Sequence, residues 1–455
     1  MRNEDTSRRV VVTGLGVVSA LGASAESLWA ACRDGRSGLK ATSADSPLPI
    51  TTIASADEFE GKIQDFGALD DAQKKAIRKG CKLMAREIQM GVASAQLALQ
   101  DGGVGKAYPS KRIGVSFASD FVITTPQELV DGVLACRVAP DAIRFTDWPI
   151  NGLTKMTPLW QLKYLTNMSA SHITIYNELY GPAYDVTNRE ASFATGLAEA
   201  VEAIKRGAAD AMVVGATGSK IHPYRFVDSL KYGELSPDIV RANGATEPAV
   251  CRPFDKRRNG VIPGEGAGSI VIEAEETAKA RGAKIYAEVL GGASRGVLRH
   301  ERDLGGKGCD LGLSVDSARE AYALTLRALV AKLGITAADI GHINAAARGD
   351  VVLDAAEALA LRDVFGDAID SIPTTTLSGH IGNPGAGCGA IQTIASILAL
   401  ENDALFPVMN YEEADPDCRL NLVREYGVKP GDSFLKLCGN SFGQTSAVML
   451  RRYAE

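Results

Sequence analysis

The sequence of 455 residues contains few of the side chains that build metal sites or disulfide frameworks. It has only five histidines and eight cysteines, both scattered along the chain, and no two cysteines have Cys-x-x-Cys spacing. This distribution argues against a zinc site and a disulfide-stabilised fold, and it is typical of a protein from a reducing compartment. We therefore expect no bound metal and no cofactor.

The sequence also lacks an excess of positive charge and a long apolar run. Its formal net charge of −6 argues against a general nucleic-acid-binding protein, which needs a basic surface to neutralise phosphates. No uninterrupted apolar segment is long enough to cross a bilayer, and MRNEDTSRRVVVTG has no apolar stretch of signal-peptide length. We expect a cytoplasmic protein with neither nucleic acid nor membrane as a partner.

What the sequence does contain is an alternation of buried strands and helices. RRVVVTGLGVVSALG predicts a strand, AESLWAAC predicts a helix, and KKAIRKGCKLMAREIQMGVASAQLALQDGG predicts one long helix that ends at Gly102–Gly103. The strand KRIGVSFAS follows this helix. Such alternation is typical of an α/β protein with largely parallel sheets that are covered on both faces.

The order of the predicted elements repeats along the chain. A helix, a glycine stop and a small-residue strand occur at 90–120 and again at 321–350, and similar units of helix and strand occur at 190–219 and 382–411. This repetition indicates a duplication. We predict an N-terminal half at 1–282 and a C-terminal half at 283–455. An irregular insertion at about 120–180 is expected to cap a site or to form an interface.

Six blocks of sequence, in this order, have a distinctive pattern: RRVVVTGLGVVSALG, NMSASHITIYNELYGPAYDVT, GAADAMVVGATGS, CRPFDKRRNGVIPGEGAGSIVIE, LSGHIGNPGAG and NSFGQTSAVML. Together they resemble the β-ketoacyl-acyl-carrier-protein synthases, which are condensing enzymes of the thiolase superfamily. The fourth block is the most specific of the six. The resemblance covers nearly the whole chain and implies an α/β, thiolase-like, duplicated five-layered αβαβα fold.

Members of this family use a cysteine nucleophile at a strand-to-helix elbow, two histidines and a lysine. By this resemblance, Glu190 stands at the position of the cysteine, Ala346 at that of the first histidine and Thr375 at that of the lysine. The second histidine is retained as His380. The family's oxyanion-hole loop corresponds to NSFGQTSA, which is two residues short of the pattern.

Glutamate cannot form the thioester with which the family's cysteine holds an acyl chain. A helix N-terminus lowers the pKa of a carboxyl group and burial raises it, so the sequence leaves the charge of Glu190 open. Glu190 is thus either a catalytic acid or base, or an anion that pairs with a cation and fills the pocket. Asp354 and Glu357 have helical spacing and are more typical of caps or ion pairs than of catalysis.

Three functional hypotheses follow from the resemblance. The first is a non-condensing subunit of fatty acid or polyketide biosynthesis, similar to a chain length factor, that pairs with an active synthase and shapes the acyl tunnel. The second is an acyl-carrier-protein-dependent enzyme that uses Glu190 and His380 as an acid–base pair, or that retains residual 3-oxoacyl-acyl-carrier-protein synthase (acyltransferase) activity. The third is an acyl-binding homodimer without catalysis, so the sequence leaves open whether the chain is an enzyme.

All three hypotheses imply the same partners. These are acyl carrier protein, an acyl chain, and either a second copy of this chain or an active ketosynthase in a dimer. Because acyl carrier protein is acidic, we expect it to approach through a basic patch, for which the candidates are Lys205, Arg206, Lys256, Arg257 and Arg258.

Overall fold

Ten strands form one mixed sheet that draws on both ends of the chain. A computed structural model describes residues 8–43, 45–105, 107–120, 122–297 and 313–454. In chain order the strands of this sheet are β1 (Val10–Val18), β2 (Ile113–Ser119), β3 (Ala183–Val186), β4 (Ala211–Ser219), β5 (Glu265–Ala274), β6 (Ala287–Gly296), β7 (His342–Asn344), β8 (Thr374–Thr375), β9 (Ser433–Gly439) and β10 (Gln444–Arg452).

The helices lie between these strands and in the insertion. In chain order they are α1 (Ala25–Arg33), α2 (Asp71–Gly80), α3 (Arg86–Gly102), α4 (Pro126–Ala135), α5 (Met168–Asn177), α6 (Ser192–Lys205), α7 (Pro223–Lys231), α8 (Glu275–Ala280), α9 (Val315–Leu333), α10 (Val351–Phe365), α11 (Ser378–Ile381) and α12 (Gly387–Glu401). Shorter turns of 3-10 helix and two hairpins of very short strands complete the connections.

The strand order shows the duplication directly. Across the sheet the order is β8-β7-β9-β10-β6-β1-β5-β4-β2-β3, so each strand of the second half occupies the place of the strand five earlier in the first half. The strand directions repeat as well. Strand β2 is parallel to both of its neighbours, β3 and β4, and β7 is likewise parallel to its neighbours, β8 and β9. Strands β5 and β10 each run antiparallel to both of their neighbours. The sheets are therefore mixed, and the prediction of largely parallel sheets is wrong for the strands nearest the centre.

The predicted five-layered architecture is confirmed. Helix α3 packs on the outer face of the first half-sheet, and α9 packs on the outer face of the second, with α10 against it. Helices α6 and α12 lie in the middle, where α6 contacts β4 and β2 of the first half and β6 and β10 of the second. The half-sheets share only a short antiparallel contact between β1 and β6, from Val10 to Val12, so they can enclose the central helices. The largest apolar cluster lies around these helices.

The predicted long helix is interrupted in the structure. Helix α2 ends at Gly80, a short turn follows, and α3 begins at Arg86 after extended backbone at Met84 and Ala85. A close contact lies at the end of α2. A Cβ atom at position 80 would lie only 1.7 Å from the hydroxyl of Tyr176, so the chain needs glycine there. Gly103, with φ of 61°, ends α3 as the sequence predicts.

The strand predicted at the end of the 382–411 unit is also absent. Residues 404–411 are irregular, and the strand that corresponds to β4 is β9, which begins at Ser433. The backbone N–H of Val408 instead donates to the carbonyl of Val423. The 404–411 segment therefore pairs with a later loop, which in turn bonds to the edge strand β8 through Thr374.

The insertion at about 120–180 contains α4, a short hairpin, several 3-10 turns and α5. Its helices leave large apolar side chains in contact with solvent, and Phe145 and Ile150 are about three-quarters exposed, at 74% and 76%. Trp148 is partly buried and packs against Gly132 and Gly152. The segment is therefore ordered internally but presents an apolar outer surface.

Candidate active site

The predicted elbow lies between β3 and α6. Glu190 belongs to a single 3-10 turn, Arg189–Ala191, that leads directly into α6, and it is 3% exposed. Arg189 has a φ of 48°, a left-handed conformation that bends the chain sharply at this point. Its guanidinium lies 4.3 Å from the ring centre of Phe442, which fixes the elbow against the NSFGQTSA loop.

Glu190 is held as an anion by two cations and an amide. Its Oε1 lies 2.8 Å from Nζ of Lys220 and 3.8 Å from Nη1 of Arg348, and it accepts a hydrogen bond of 2.9 Å from Nδ2 of Asn383. Burial raises the pKa of Glu190, but the charges of Lys220 and Arg348 outweigh it and place the pKa well below its usual value. The carboxylate is therefore ionised and fixed in place.

The ion pair extends into a buried network that ties the elbow to the C-terminal loop. Nζ of Lys220 also lies 3.1 Å from Oε2 of Glu234, and the hydroxyl of Ser441 donates to the other oxygen of Glu234. Arg348 donates a hydrogen bond of 3.0 Å to the carbonyl of Gly439. Since these residues come from both halves of the chain, the network joins the halves at the candidate site.

Ala346 lies just after β7 and next to two buried acids. Its backbone N–H donates to Oε1 of Glu357 at 2.7 Å, and Asp354 accepts hydrogen bonds of 3.0 Å from the backbone of Phe254, Arg348 and Gly349. Burial raises the pKa of Asp354 to about 6 and that of Glu357 to about 7. Both acids thus accept hydrogen bonds from the backbone of the loop that follows β7, which is the behaviour predicted for caps rather than for catalysts.

His380 is buried in α11 among apolar groups. Its ring meets Phe406 edge-on with 6.2 Å between ring centres, and neither ring nitrogen has a hydrogen-bond partner among the described residues. Burial lowers the pKa of His380 to about 4, so the imidazole is neutral at physiological pH. Thr375, at the lysine position, donates its hydroxyl to the carbonyl of Phe406 at 2.7 Å. The structure shows no hydrogen bond between His380 and Glu190.

The cavity beside Glu190 is nearly filled. Its volume is about 10 Å³, and its walls include Ala346, Arg348, Cys388, Gln392 and Lys436. A cavity needs roughly 10–15 Å³ to hold a single water molecule, so this one has no room for an acyl chain. Nζ of Lys436 donates to Oδ1 of Asn344 at 3.1 Å and to the carbonyl of Ala345 at 3.0 Å, which places a third basic side chain deep in the site.

Three cations of this site, Lys220, Arg348 and Lys436, were not expected from the sequence. Each nevertheless has a signal in the sequence. Lys220 directly follows a buried strand, and Lys436 is the one charged residue within the apolar strand β9. Arg348 lies two residues after Ala346, in NAAARGD. A lone cation in a buried apolar stretch requires a buried acid nearby, and Glu190 is the acid for Lys220 and Arg348.

The basic residues proposed from the sequence do not form a free patch. Lys256 pairs with Glu413 at 2.7 Å, Arg257 with Glu412 at 2.6 Å, and Arg258 with Asp415. Lys205 and Arg206 bond to a backbone carbonyl and a tyrosine hydroxyl, respectively. Three of the five charges are therefore paired with acids, and those of Lys205 and Arg206 are not neutralised by these contacts.

The described part of the chain contains no group of three or more His, Cys, Asp or Glu side chains that could hold a metal ion. Within the same residues, no helix has both the length and the apolar character that crossing a membrane requires.

Comparison with known proteins assigns the chain to a family. Residues 7–278 match the beta-ketoacyl synthase N-terminal domain and residues 307–412 match its C-terminal domain. The chain is 30% identical to 3-oxoacyl-[acyl-carrier-protein] synthase 2 of Rhizobium meliloti (strain 1021), over 98% of this chain and 99% of the relative. It is 28% identical to the synthase of the same name from Coxiella burnetii, over 91% of each.

Solved structures show the same fold. The ishigamide ketosynthase/chain length factor superposes with a TM-score of 0.78 at 24% identity, covering 99% of this chain and 100% of that one. The complex of a type II PKS acyl-carrier protein with its ketosynthase, bound to the hexaketide, gives a TM-score of 0.77 at 23% identity with the same coverage. From the duplicated fold, the two domain matches and the full-length relatives, the chain belongs to the β-ketoacyl synthase family.

Proposed function

We propose that this protein is a non-condensing member of its family, similar to a chain length factor, that pairs with an active ketosynthase and shapes the acyl tunnel of that pair. The observation that carries the proposal is the ion-paired Glu190 at the nucleophile position, beside a cavity of about 10 Å³. Catalysis requires an accessible nucleophile or acid–base groups, and pairing requires a surface for a partner subunit.

The first requirement is a nucleophile with access to substrate. A condensing enzyme forms a thioester, which leaves the acyl group activated but stable, whereas a carboxylate would form a reactive anhydride. Glu190 is also engaged by Lys220, Arg348 and Asn383, and attack would require breaking these contacts in a buried site. The site therefore favours a structural anion over an acyl acceptor.

The second requirement concerns acid–base chemistry by Glu190 and His380. A general acid or base works best when its pKa lies near the operating pH. The pKa of Glu190 lies well below that range and the pKa of His380 is lowered to about 4. Together with the absence of a bond between them, these shifts give the repurposed-enzyme alternative no support.

The third requirement is a surface for a partner subunit. Strand β3 is at the edge of the sheet, and an edge strand with an open side pairs readily with another chain. Among the described residues, most of the large apolar side chains that are exposed lie in the insertion. An apolar surface beside an open sheet edge favours a dimer, with either an active synthase or a second copy.

Acyl carrier protein is proposed to dock on α2. Lys75, Arg78 and Lys79 on this helix, and Lys82 just after it, are exposed and form no ion pair with any residue that the structure describes. We name these four residues the α2 basic face. It supplies the unneutralised charge that the candidates at Lys256–Arg258 lack.

Intact-protein mass spectrometry tests the proposal. The protein is incubated with acyl- and malonyl-carrier protein, and the masses of both proteins are followed. We expect neither an acyl adduct nor loss of carbon dioxide from the malonyl carrier, and we expect the matched variant Glu190→Gln to be equally inactive. An adduct or decarboxylation that disappears in Glu190→Gln or His380→Ala would contradict the proposal.

Co-purification tests the pairing. The protein is co-expressed with a cysteine-containing synthase encoded beside its gene, and condensation is assayed for the pair and for each protein alone. A stable complex whose products differ in chain length from those of the synthase alone is the expected result. If the two proteins neither associate nor influence each other's products, the pairing is wrong.

A further inference from the structure

Strand β3 forms an open edge of the sheet, and its side chains alternate between two faces. It pairs with β2 on one side, and no other described strand pairs with its outer side. Tyr184 and Val186 pack against the central apolar cluster. Because successive residues of a strand point to opposite faces, Ala183 and Asp185 lie on the other face, where β3 contacts α5. A strand that extended the sheet would therefore lie directly beside the carboxyl group of Asp185.

Asp185 has two hydroxyl groups as partners but no cation. Its Oδ2 accepts hydrogen bonds of 3.3 Å from the hydroxyls of Thr166 and Thr187. Partial burial raises the pKa of Asp185, and the two hydroxyls lower it. Among the described residues, no lysine, arginine or histidine forms an ion pair with this carboxyl group. A single chain therefore leaves the charge of Asp185 without a counter-charge at the edge of its sheet.

Pairing of β3 with its own copy would bring two Asp185 side chains together. In an antiparallel pair about a two-fold axis, residues that lie directly opposite share a face, so this four-residue strand can form three residue pairs in either of two registers. One register centres on Asp185 and places the two aspartates directly opposite. The other centres on Tyr184 and places Asp185 opposite Ala183, with the two aspartates on the diagonal. Opposite Cβ atoms are about 4.5–5.5 Å apart and diagonal residues about 7–8 Å apart, so both registers bring the carboxyl groups close.

Two carboxylates at these distances oppose the association of two copies. With an effective dielectric constant of about 20, repulsion between unit charges about 5.5–8 Å apart lowers an association constant roughly 30- to 150-fold. Each carboxylate also loses water when a second strand covers it, without gaining a partner. A strand that carries a hydrogen-bond donor at this place avoids the repulsion and replaces the lost water.

We propose that Asp185 selects the chain that pairs with β3. That chain is not a second copy of this protein but a different chain, whose edge strand carries a hydrogen-bond donor beside Asp185, either a hydroxyl or amide side chain or a basic one. This inference rests on the proposed function, which supplies an active synthase as the different chain. It adds which residue disfavours the homodimer and which chemistry the synthase strand needs at that position.

Sedimentation equilibrium of the full-length protein, without a synthase, tests the repulsion. Asp185→Asn keeps the shape of the side chain and removes its charge, so we expect it to form a homodimer at least about tenfold tighter than the wild type. The matched control is Asp367→Asn, which removes one negative charge from a fully exposed side chain in the second half of the chain. It should change self-association less than about twofold. Circular dichroism and thermal unfolding establish that each variant is folded.

A charge swap at the same position tests the need for a donor. Asp185→Lys should associate weakly with itself, because two lysines repel as two aspartates do. Mixed with the wild type it should form a dimer at least about tenfold tighter than either protein alone, since a lysine then lies beside an aspartate.

Three results would overturn the role of Asp185. The first is a wild-type homodimer as tight as that of Asp185→Asn, the second is a mixture that associates no more tightly than its components, and the third is the absence of association in every sample. Failure of the proposed function is distinguishable, because it would appear as a synthase that does not co-purify with the wild type while Asp185→Asn and the mixture behave as expected.

Discussion

At the scale of single residues, the burial of Glu190 is balanced by two cations at its Oε1. Removing a carboxylate from water is costly unless it is paired and hydrogen-bonded, and Lys220, Arg348 and Asn383 meet both conditions. Lys220 itself is 3% exposed and shared between Glu190 and Glu234. Because it serves two acids, Lys220 is the residue on which the network depends most.

Replacement of Lys220 tests this dependence. Lys220→Met leaves two buried carboxylates without their shared cation, and we expect the free energy of unfolding to fall by about 3–5 kcal/mol. In the matched variant Glu190→Gln, Lys220 keeps Glu234 as its partner, so the loss should be less than half as large. Guanidinium unfolding at one protein concentration measures both. Equal losses in the two variants, or a loss below about 1 kcal/mol for Lys220→Met, would show that the network contributes little.

At the scale of secondary-structure elements, α2 presents several exposed basic side chains. Its apolar residue Ile77 is buried, whereas Lys75, Arg78 and Lys79 are exposed and unpaired among the described residues. Exposed charges of one sign mainly steer an oppositely charged partner and fix its orientation. If the proposed docking on α2 is correct, the affinity for acyl carrier protein should fall as salt is added.

Neutralising this helix tests the docking of acyl carrier protein. The triple variant Lys75→Gln, Arg78→Gln, Lys79→Gln should weaken the binding of fluorescent carrier protein about tenfold at low salt, from roughly 0.5 kcal/mol per exposed charge. The control Lys256→Gln, Arg257→Gln removes charges that already pair with glutamates and should change binding less than twofold. Carrier protein that binds the triple variant as tightly as the wild type, or the control more weakly than the triple variant, would exclude α2 as the docking surface.

The elements also show what the sequence can predict and what it cannot. Periodicity locates α1 and the end of α3 well because their caps, Ser24 and Gly103, are local signals. The break between α2 and α3 was not predicted, and the close approach of Gly80 to the hydroxyl of Tyr176, far away in sequence, becomes visible only in the fold. In the same way, family motifs locate Glu190 and His380, but the charge of Glu190 depends on Lys220 and Arg348, which only the fold brings to it.

At the scale of the whole molecule, the open edge at β3 and the apolar insertion lie on the same half of a duplicated fold. The other edge, β8, is covered because Thr374 bonds to the backbone of the 421–423 segment. Among the residues that the structure describes, the β3 end of the sheet is therefore the one left for another chain to extend. This asymmetry favours a two-chain assembly over a continuing filament.

Charged substitutions in the insertion test the assembly. We expect the wild-type protein to form a dimer, alone or with its synthase partner, and Phe145→Asp, Ile150→Asp to weaken association at least about a hundredfold, since each buried apolar side chain contributes roughly 1.5–3 kcal/mol. Val428→Asp, on an exposed residue outside the insertion, is the control and should leave the dimer intact. Sedimentation velocity measures all three. A wild-type protein that stays monomeric at every concentration, with and without a synthase, would refute the dimer.

The network around Glu190 also bears on which substitutions could change the chemistry of this site during evolution. A single substitution that returned a cysteine to position 190 would place the thiol beside Lys220 and Arg348, in a cavity of about 10 Å³ and without a histidine at position 346. Lys220 would still be anchored to Glu234, and Glu234 to Ser441. Under the proposed function, several linked changes in both halves of the chain would separate this site from a working synthase, so we expect that a single return to cysteine at position 190 would not restore condensation.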